Sequence, residues 1–304
     1  MLGGLAALGG VALPAITRAG DAGFVTREVA PGIHFRRGRD EDASAANGDA
    51  IANVGFIVGR AAVAVFDTGG SREDGERLRR RIGEVTPLPI RFVLMSHVHP
   101  DHLSGAAAFV RDRPQFIGHA RLPAALAQRA DYYRTRLDAL LGAGGVGPPV
   151  VPTRLVADRD EIDLGDRVLR LQAHDVAHSD CDLSAYDPQT RTLLPADLLF
   201  VRRIPSLDGS LTGWEQTLAG LKRMDAVRAV PGHGPVSVDW PSGAGDLERY
   251  LGVLLTETRA AFKRGAELGE AVETVGRSER GRWLLFDEYH GHNVTQTFKE
   301  VEWE

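Results

Sequence analysis

The chain has 304 residues with a formal net charge of −5 at pH 7, so it lacks the basic character expected of a nucleic-acid partner. A hydrophobic fraction of 43% and a charged fraction of 25% are typical of a globular protein with a sizeable core. With one cysteine, Cys181, the chain has neither an internal disulfide framework nor a cysteine zinc cluster.

The first 16 residues, MLGGLAALGGVALPAI, are apolar and uncharged, and the polar segment TRAGDAG follows them. The stretch is too short for a stable membrane span, but it is similar to the apolar and small-residue parts of a secretory signal. The usual basic start is missing. We therefore interpret residues 1–22 as a truncated export signal, with a buried strand or helix as the alternative.

From residue 23 onwards, predicted strands and helices alternate. Apolar and β-branched residues predict a strand pair at 53–59 and 61–70, followed by an amphipathic helix at 72–85 and a buried strand at 90–97. Further helices are predicted at 105–111, 122–144 and 213–224, and further strands at 114–120, 160–175, 181–188, 191–201 and 226–234. This alternation predicts one α/β domain with mixed sheets.

Beyond residue 240 we expect a C-terminal extension that packs on the same domain. The pattern predicts a helix at 244–265, a short helix near 267–275 and then an irregular aromatic tail. No short repeat and no obvious linker divides the chain. The domain is therefore predicted to span residues 23–240, with residues 241–304 as its helical extension.

Four residues of metal-ligand type follow the buried strand within six positions: His97, His99, Asp101 and His102. Crowded imidazoles repel one another once protonated, so a packing role is unfavourable. Zinc binds imidazole nitrogen and carboxylate oxygen, and a catalytic site needs three protein ligands and an open position. The cluster predicts that His97 and His99 face one metal ion while Asp101 and His102 face a second. Surface loop histidines are the alternative.

Four more residues of the same types end other apolar stretches, where α/β sheets present functional loops. They are Asp67 in VFDTGG, His178 in DVAHSD, Asp197 in LLPADLLF and His233 in VPGHGPV. Together the motifs supply three histidines to one ion and a mixed set of carboxylates and imidazoles to the other, and Asp197 is suited to bridge them. Cys181 is predicted to be a buried structural thiol rather than a ligand.

The chain resembles the metallo-β-lactamase-fold hydrolases, because these motifs occur in the same order along the chain as in that family. The resemblance implies an α/β fold, a four-layered αββα sandwich over residues 24–240, with two zinc ions per chain along one edge. It implies that His97, His99 and His178 bind the first ion, that Asp101, His102 and His233 bind the second, and that Asp197 bridges. Asp67 is expected to support a ligand, and we assign catalytic roles to Asp101 and Asp67.

Residues 196–218, 231–241 and 276–304 look like the quinoprotein relay system zinc metallohydrolases. These are periplasmic proteins grouped with pyrroloquinoline-quinone alcohol dehydrogenases. The resemblance implies export to the periplasm and association with a quinoprotein dehydrogenase system, but it supplies no physiological substrate. Phe200 stands where quorum-signal lactonases carry an assisting tyrosine.

The predicted activity is hydrolysis of an ester, thioester, lactone or lactam bond in a small molecule by a metal-bound hydroxide. One alternative is a non-haem iron persulfide dioxygenase, against which the full ligand set argues. Another is a non-catalytic accessory protein of a quinone-cofactor relay.

Three residues are candidates for substrate binding. Arg202 and Arg203 follow Asp197 by five and six residues. Because adjacent side chains of an extended segment point in opposite directions, one arginine is expected to face the cleft and bind an anionic group while the other is solvated. Pairing of both with surface acids is the alternative. His290 becomes a candidate if the aromatic tail folds over the metal cleft, and a surface tail is the alternative.

Overall fold

The computed structural model describes residues 24–304, so the export signal predicted at residues 1–22 lies outside the described part. The described residues form two β-sheets, and the first has seven strands in sequential order. They are β1 (Arg27–Ala30), β2 (Ile33–Arg36), β3 (Val54–Val58), β4 (Val63–Phe66), β5 (Ile90–Met95), β6 (Gln115–His119) and β7 (Arg154–Val156). Neighbours from β1 to β4 are antiparallel, whereas β4 to β7 run parallel, so β4 and β5 end at the same edge of the sheet.

The second sheet has six strands in the order β13-β12-β11-β10-β9-β8. They are β8 (Arg159–Asp163), β9 (Val168–Ala173), β10 (Leu183–Asp187), β11 (Thr192–Phe200), β12 (Arg228–His233) and β13 (Val238–Asp239). Only β11 and β12 are parallel neighbours. Their register shifts on both sides of Ala196, which has a φ of 48°. Such an irregularity re-aims nearby side chains, and Asp197 is the next residue.

Helices cover the outer faces of both sheets. They are α1 (Arg72–Val85), α2 (Pro100–Leu103), α3 (Leu122–Leu141), α4 (Leu211–Lys222), α5 (Gly245–Lys263), α6 (Leu268–Thr274) and α7 (Phe286–Val301). Leu78 of α1 and Leu122 of α3 share an apolar cluster with Val93 of the first sheet. Trp214 of α4 and Leu254 of α5 share another with the second sheet.

A third apolar cluster lies between the sheets. It joins Ile57 and Leu94 of the first sheet to Leu171 and Leu194 of the second, and all four side chains are buried. Burial of apolar surface on both faces of each sheet is the main stabilising contribution to this arrangement. The four-layered αββα sandwich predicted from the sequence is therefore confirmed.

The C-terminal extension differs from the prediction in one element. The tail predicted to be irregular forms α7, a 16-residue helix. Val294 of α7 is fully buried in the cluster that contains α4 and α5, and Glu300 accepts hydrogen bonds from the backbone amides of Leu211 and Thr212 at the start of α4. Tertiary packing thus stabilises a helix that its local sequence does not signal.

The helix predicted at 105–111 is a 3-10 helix, Ala106–Asp112. Among the helices of residues 24–304, none combines the length and apolar character needed to cross a bilayer.

Candidate metal centre

The predicted ligands converge because the strands that precede them end together. β4 leads to Asp67 and β5 leads to the loop that carries His97 and His99, while the parallel strands β11 and β12 carry Asp197 and His233. Close approach of β12 to Asp197 requires glycine at position 232, since a Cβ there would overlap the Asp197 carboxylate. The fold therefore brings the predicted ligands of both sheets to one site.

One ligand set consists of His97, His99, His178 and Asp197. The Nδ1 of His99 lies 3.0 Å from the Nε2 of His97 and 3.0 Å from the Nε2 of His178. The Asp197 Oδ2 lies 3.7 Å and 3.5 Å from those two Nε2 atoms. Three imidazole nitrogens and one carboxylate thus face a common point.

The other set consists of Asp101, His102 and His233. The Asp101 Oδ2 lies 3.6 Å from the Nε2 of His102 and 3.3 Å from the Nε2 of His233. Asp197 also contacts this set, with Oδ1 3.0 Å from the Nε2 of His102 and Oδ2 3.4 Å from the Nε2 of His233. Asp197 therefore lies between the two sets, as a bridging ligand requires.

Unpaired buried atoms test whether these residues suit a metal. The His102 Nε2 and the Asp197 Oδ1 are buried and lie 3.0 Å apart, yet neither makes a well-aligned hydrogen bond with the other or with another described residue. Leaving such groups unpaired is costly, so their convergence needs a compensating ligand. Imidazole nitrogen and carboxylate oxygen are donors that zinc accepts. The site therefore fits a metal centre.

The electrostatics of the two sets differ. Burial lowers the pKa of His97 well below its usual value and lowers that of His178 to about 3, so both rings are neutral, as ligands must be. Burial also acts to lower the pKa of His102, but the carboxylates of Asp197, Asp101 and Asp67 together raise it well above its usual value. The second set is thus rich in negative charge and favours a cation.

Asp67 holds a ligand in place rather than facing the centre itself. It is fully buried, with a φ of 56°, and its Oδ2 lies 2.7 Å from the Nδ1 of His102. Ser96 donates to the same carboxylate from its backbone amide at 2.9 Å and from its hydroxyl at 2.8 Å. With Nδ1 donating to Asp67, the Nε2 of His102 is left to bind a metal.

Asp208 has the corresponding position behind His99, and the sequence did not predict it. Its Oδ2 lies 3.1 Å from the Nε2 of His99, and Arg129 of α3 pairs with the same oxygen. Burial acts to raise the pKa of Asp208, but His99 and Arg129 outweigh it and lower the pKa. No sequence motif surrounds Asp208. Its position in the loop after β11 is the feature from which a role near the site could have been predicted.

A cavity of about 460 Å³ opens over the ligands. α3 contributes Tyr133 and Leu137 to one wall, and α7 contributes Tyr289 and His292 to another. Asp49, which the sequence did not single out, also lines this cavity; burial, with repulsion from Asp101, raises its pKa to about 8. The metal centre therefore lies at the floor of a cleft between the two helical layers.

The candidate substrate residues are placed differently from one another. Arg203 is buried and lines the cleft, whereas Arg202 is exposed, with a φ of 69°. His290 is not brought to the cleft: its ring is buried, lies 3.0 Å from the Tyr250 hydroxyl and 2.8 Å from the Val275 carbonyl, and stacks on Phe286. This placement corrects the expectation that His290 reaches the metals.

Cys181 is a free, buried thiol that lies outside both ligand sets. Burial raises the pKa of this thiol, which disfavours the thiolate form that metal binding requires.

The chain is similar to known proteins in both sequence and structure. A family model described as the metallo-beta-lactamase superfamily matches residues 47–233. The chain is 24% identical over 286 residues to a linear primary-alkylsulfatase from Pseudomonas sp., a match that covers 77% of this chain and 53% of that protein. The chain thus spans about half the length of the curated relative that it matches.

Two solved structures illustrate the structural likeness. A metallo-beta-lactamase from Pontibacter korlensis superposes with a TM-score of 0.60 at 18% identity, covering 75% of this chain and 98% of that chain. A stereoselective inverting sec-alkylsulfatase from Pseudomonas sp. gives a TM-score of 0.68 at 17% identity, covering 90% of this chain and 50% of that chain. At these identities the likeness establishes the fold alone.

Proposed function

This chain belongs to the metallo-beta-lactamase superfamily, and from that premise we propose that it is a dinuclear zinc hydrolase of a small molecule. Family membership and the ligand sets support a metal-dependent hydrolase. The position of Asp197 carries the proposal of two ions, because its Oδ2 lies 3.5 Å from His178 in one set and its Oδ1 lies 3.0 Å from His102 in the other.

Paired zinc ions supply water of lowered pKa, near 7, and polarise the bond to be cleaved. His97, His99 and His178 would hold one ion, and Asp101, His102 and His233 the other. Asp67 and Asp208 hold the rings of His102 and His99 in the orientation that binding needs. Asp101, whose side chain is 12% exposed, is suited to accept a hydrogen bond from water in the cleft.

The bond we propose is that of an ester, thioester, lactone or lactam. A sulfate ester is a second candidate, supported by the likeness to two alkylsulfatases and by the buried cation of Arg203 in the cleft. If the protein were a persulfide dioxygenase with one iron ion, the second ligand set would have no metal to bind. If it had a purely accessory role, neither ligand set would be explained.

The metal content of the purified protein tests this function. We expect two zinc ions per chain, and we expect chelation to abolish hydrolysis of an ester and lactam panel, with recovery when zinc is restored. Elemental analysis by inductively coupled plasma mass spectrometry measures the ions. One iron per chain beside an empty second set would contradict the proposal. As a control, Cys181→Ala should keep both ions, because the thiol lies outside the ligand sets.

We also propose that the protein is exported to the periplasm and works with a quinoprotein dehydrogenase system. The apolar, uncharged start of the chain supports export. We expect cell fractionation to recover the protein with periplasmic markers. Recovery with cytoplasmic markers alone would refute export.

A further inference from the structure

The cleft holds a buried cation whose position is set by backbone contacts on both sides. The positive φ of Arg202 turns the chain after β11, and the Leu284 amide donates to the Arg202 carbonyl at 2.8 Å. The Ile204 amide in turn donates to the Leu284 carbonyl at 3.1 Å. Arg203 is thereby directed inward and is only 5% exposed.

The charge of Arg203 has no ion-pair partner among residues 24–304. No carboxylate oxygen of this described part lies within 4.0 Å of its guanidinium group. Its Nη2 donates to the Tyr289 hydroxyl at 3.2 Å, and the guanidinium carbon lies 5.4 Å from the centre of that ring. Asp49, in the same cleft, interacts with this charge only at longer range, so an anion bound in direct contact with the guanidinium group would stabilise it further.

The second nitrogen of the guanidinium group contacts a histidine ring rather than a carboxylate. The Arg203 Nη1 lies 3.0 Å from the Nδ1 of His233, which also lies 3.0 Å from the Ile51 carbonyl. Arg203 therefore lies directly beside the predicted ligand His233 while it lines the cleft, so an anion bound to its guanidinium group would lie next to the metal centre.

The opposite wall of the cleft continues into an apolar groove of about 80 Å³ beneath α3, which we call the α3 groove. Val98, Leu103, Leu126 and Val150 are among its lining residues. Pro100, Tyr133 and Leu137 line both the groove and the metal cleft. The α3 groove therefore adjoins the metal cleft at these three residues, close enough for the apolar chain of a molecule bound in the cleft to be directed towards it.

We propose that the substrate is an anionic amphiphile, whose oxyanion group binds Arg203 and whose apolar chain occupies the α3 groove. This inference rests on the proposed hydrolase function and adds the substrate class. A planar guanidinium group suits both carboxylate and sulfate. Each methylene buried in the groove should raise kcat/KM about fourfold until the groove is filled.

Three substrate series test the proposal on the zinc-loaded protein: monoalkyl succinates, uncharged alkyl butyrates and alkyl sulfates, each from ethyl to hexyl. We expect the charged series to be preferred and their kcat/KM to rise with chain length. Preference between succinates and sulfates identifies the anion as carboxylate or sulfate. Equal rates for charged and uncharged series, or no gain with chain length, would overturn the proposal.

Matched variants assign the two contacts. Arg203→Gln should lower kcat/KM at least about tenfold more for the preferred anions than for the butyrates, whereas Arg202→Gln, at an exposed position, should change neither. Leu126→Gln should flatten the chain-length dependence, whereas Ala127→Gln, at the exposed neighbouring position of α3, should not. Thermal melting confirms that each variant is folded.

Binding gives a readout that does not need turnover. Isothermal titration with hexanesulfonate should show at least about tenfold weaker binding to Arg203→Gln than to Arg202→Gln. Equal binding would overturn the role of Arg203. Absence of hydrolysis in all three series counts against the proposed function, whereas this titration decides the substrate class separately.

Discussion

Replacement of Asp197 by alanine is expected to abolish coordinated binding of two metal ions and to lower kcat/KM by about 10³-fold or more. The reason is that the Asp197 carboxylate contacts both ligand sets, through Oδ1 at His102 and Oδ2 at His178 and His233. Without it each ion loses a ligand, and the carboxylate placed to hold the two ions at a fixed separation is gone.

The measurements are metal content by elemental analysis and steady-state kinetics on the best ester substrate. Asp239→Ala is a matched control, because it removes an exposed carboxylate from β13 of the same sheet. Thermal melting separates loss of metal from loss of fold. Unchanged occupancy and rate in Asp197→Ala would contradict the bridging role.

The Asp67→Asn variant is expected to weaken metal binding at the second set, and kcat/KM, by about 100-fold. Asparagine tolerates the left-handed backbone at this position, so the variant removes charge without imposing strain. What it loses is the anionic acceptor that lies 2.7 Å from the Nδ1 of His102 and fixes which nitrogen of that ring carries the proton.

Zinc titration with a competing chelator measures the affinity of each ion. The effect should be larger for the ion held by Asp101, His102 and His233, because Asp67 contacts His102 directly but reaches His97 through the Ser96 hydroxyl, 2.9 Å from the Nδ1 of His97. If the binding of both ions were weakened equally, a general loss of structure would be indicated. If the affinity for both ions were unchanged, the role proposed for Asp67 would be contradicted.

How far the sequence predicts the site depends on whether a residue belongs to a motif. His97, His99, Asp101 and His102 adjoin one another, and Asp67, Asp197 and His233 each follow or lie within a buried strand, so the convergence of parallel strand ends implies one site. Asp208 is 109 residues from His99 and has no motif around it. Only the fold shows that the two meet.

Arg202 and Arg203 show that the sequence can also be insufficient for residues that are adjacent in the chain. Alternation along an extended segment predicts that Arg202 and Arg203 point in different directions, but not which one faces the metals. The left-handed backbone of Arg202 and the hydrogen bonds to Leu284 decide this, and Leu284 lies far along the chain. Contacts between residues distant in the chain also place His290 in a buried hydrogen-bond network with Tyr250, whereas His292 lines the cleft.

By itself, then, the amino-acid sequence determined an α/β domain with mixed sheets and the candidate metal-ligand residues, because apolar periodicity and donor chemistry are properties of short segments. The αββα layering followed from the family resemblance that these motifs carry. The tertiary structure alone decided that the C-terminal tail is a helix, that Asp208 supports His99 and that Arg203 rather than Arg202 enters the cleft. Each of these depends on contacts between residues distant in the chain, and such contacts are formed only when the two sheets and their helical layers pack together.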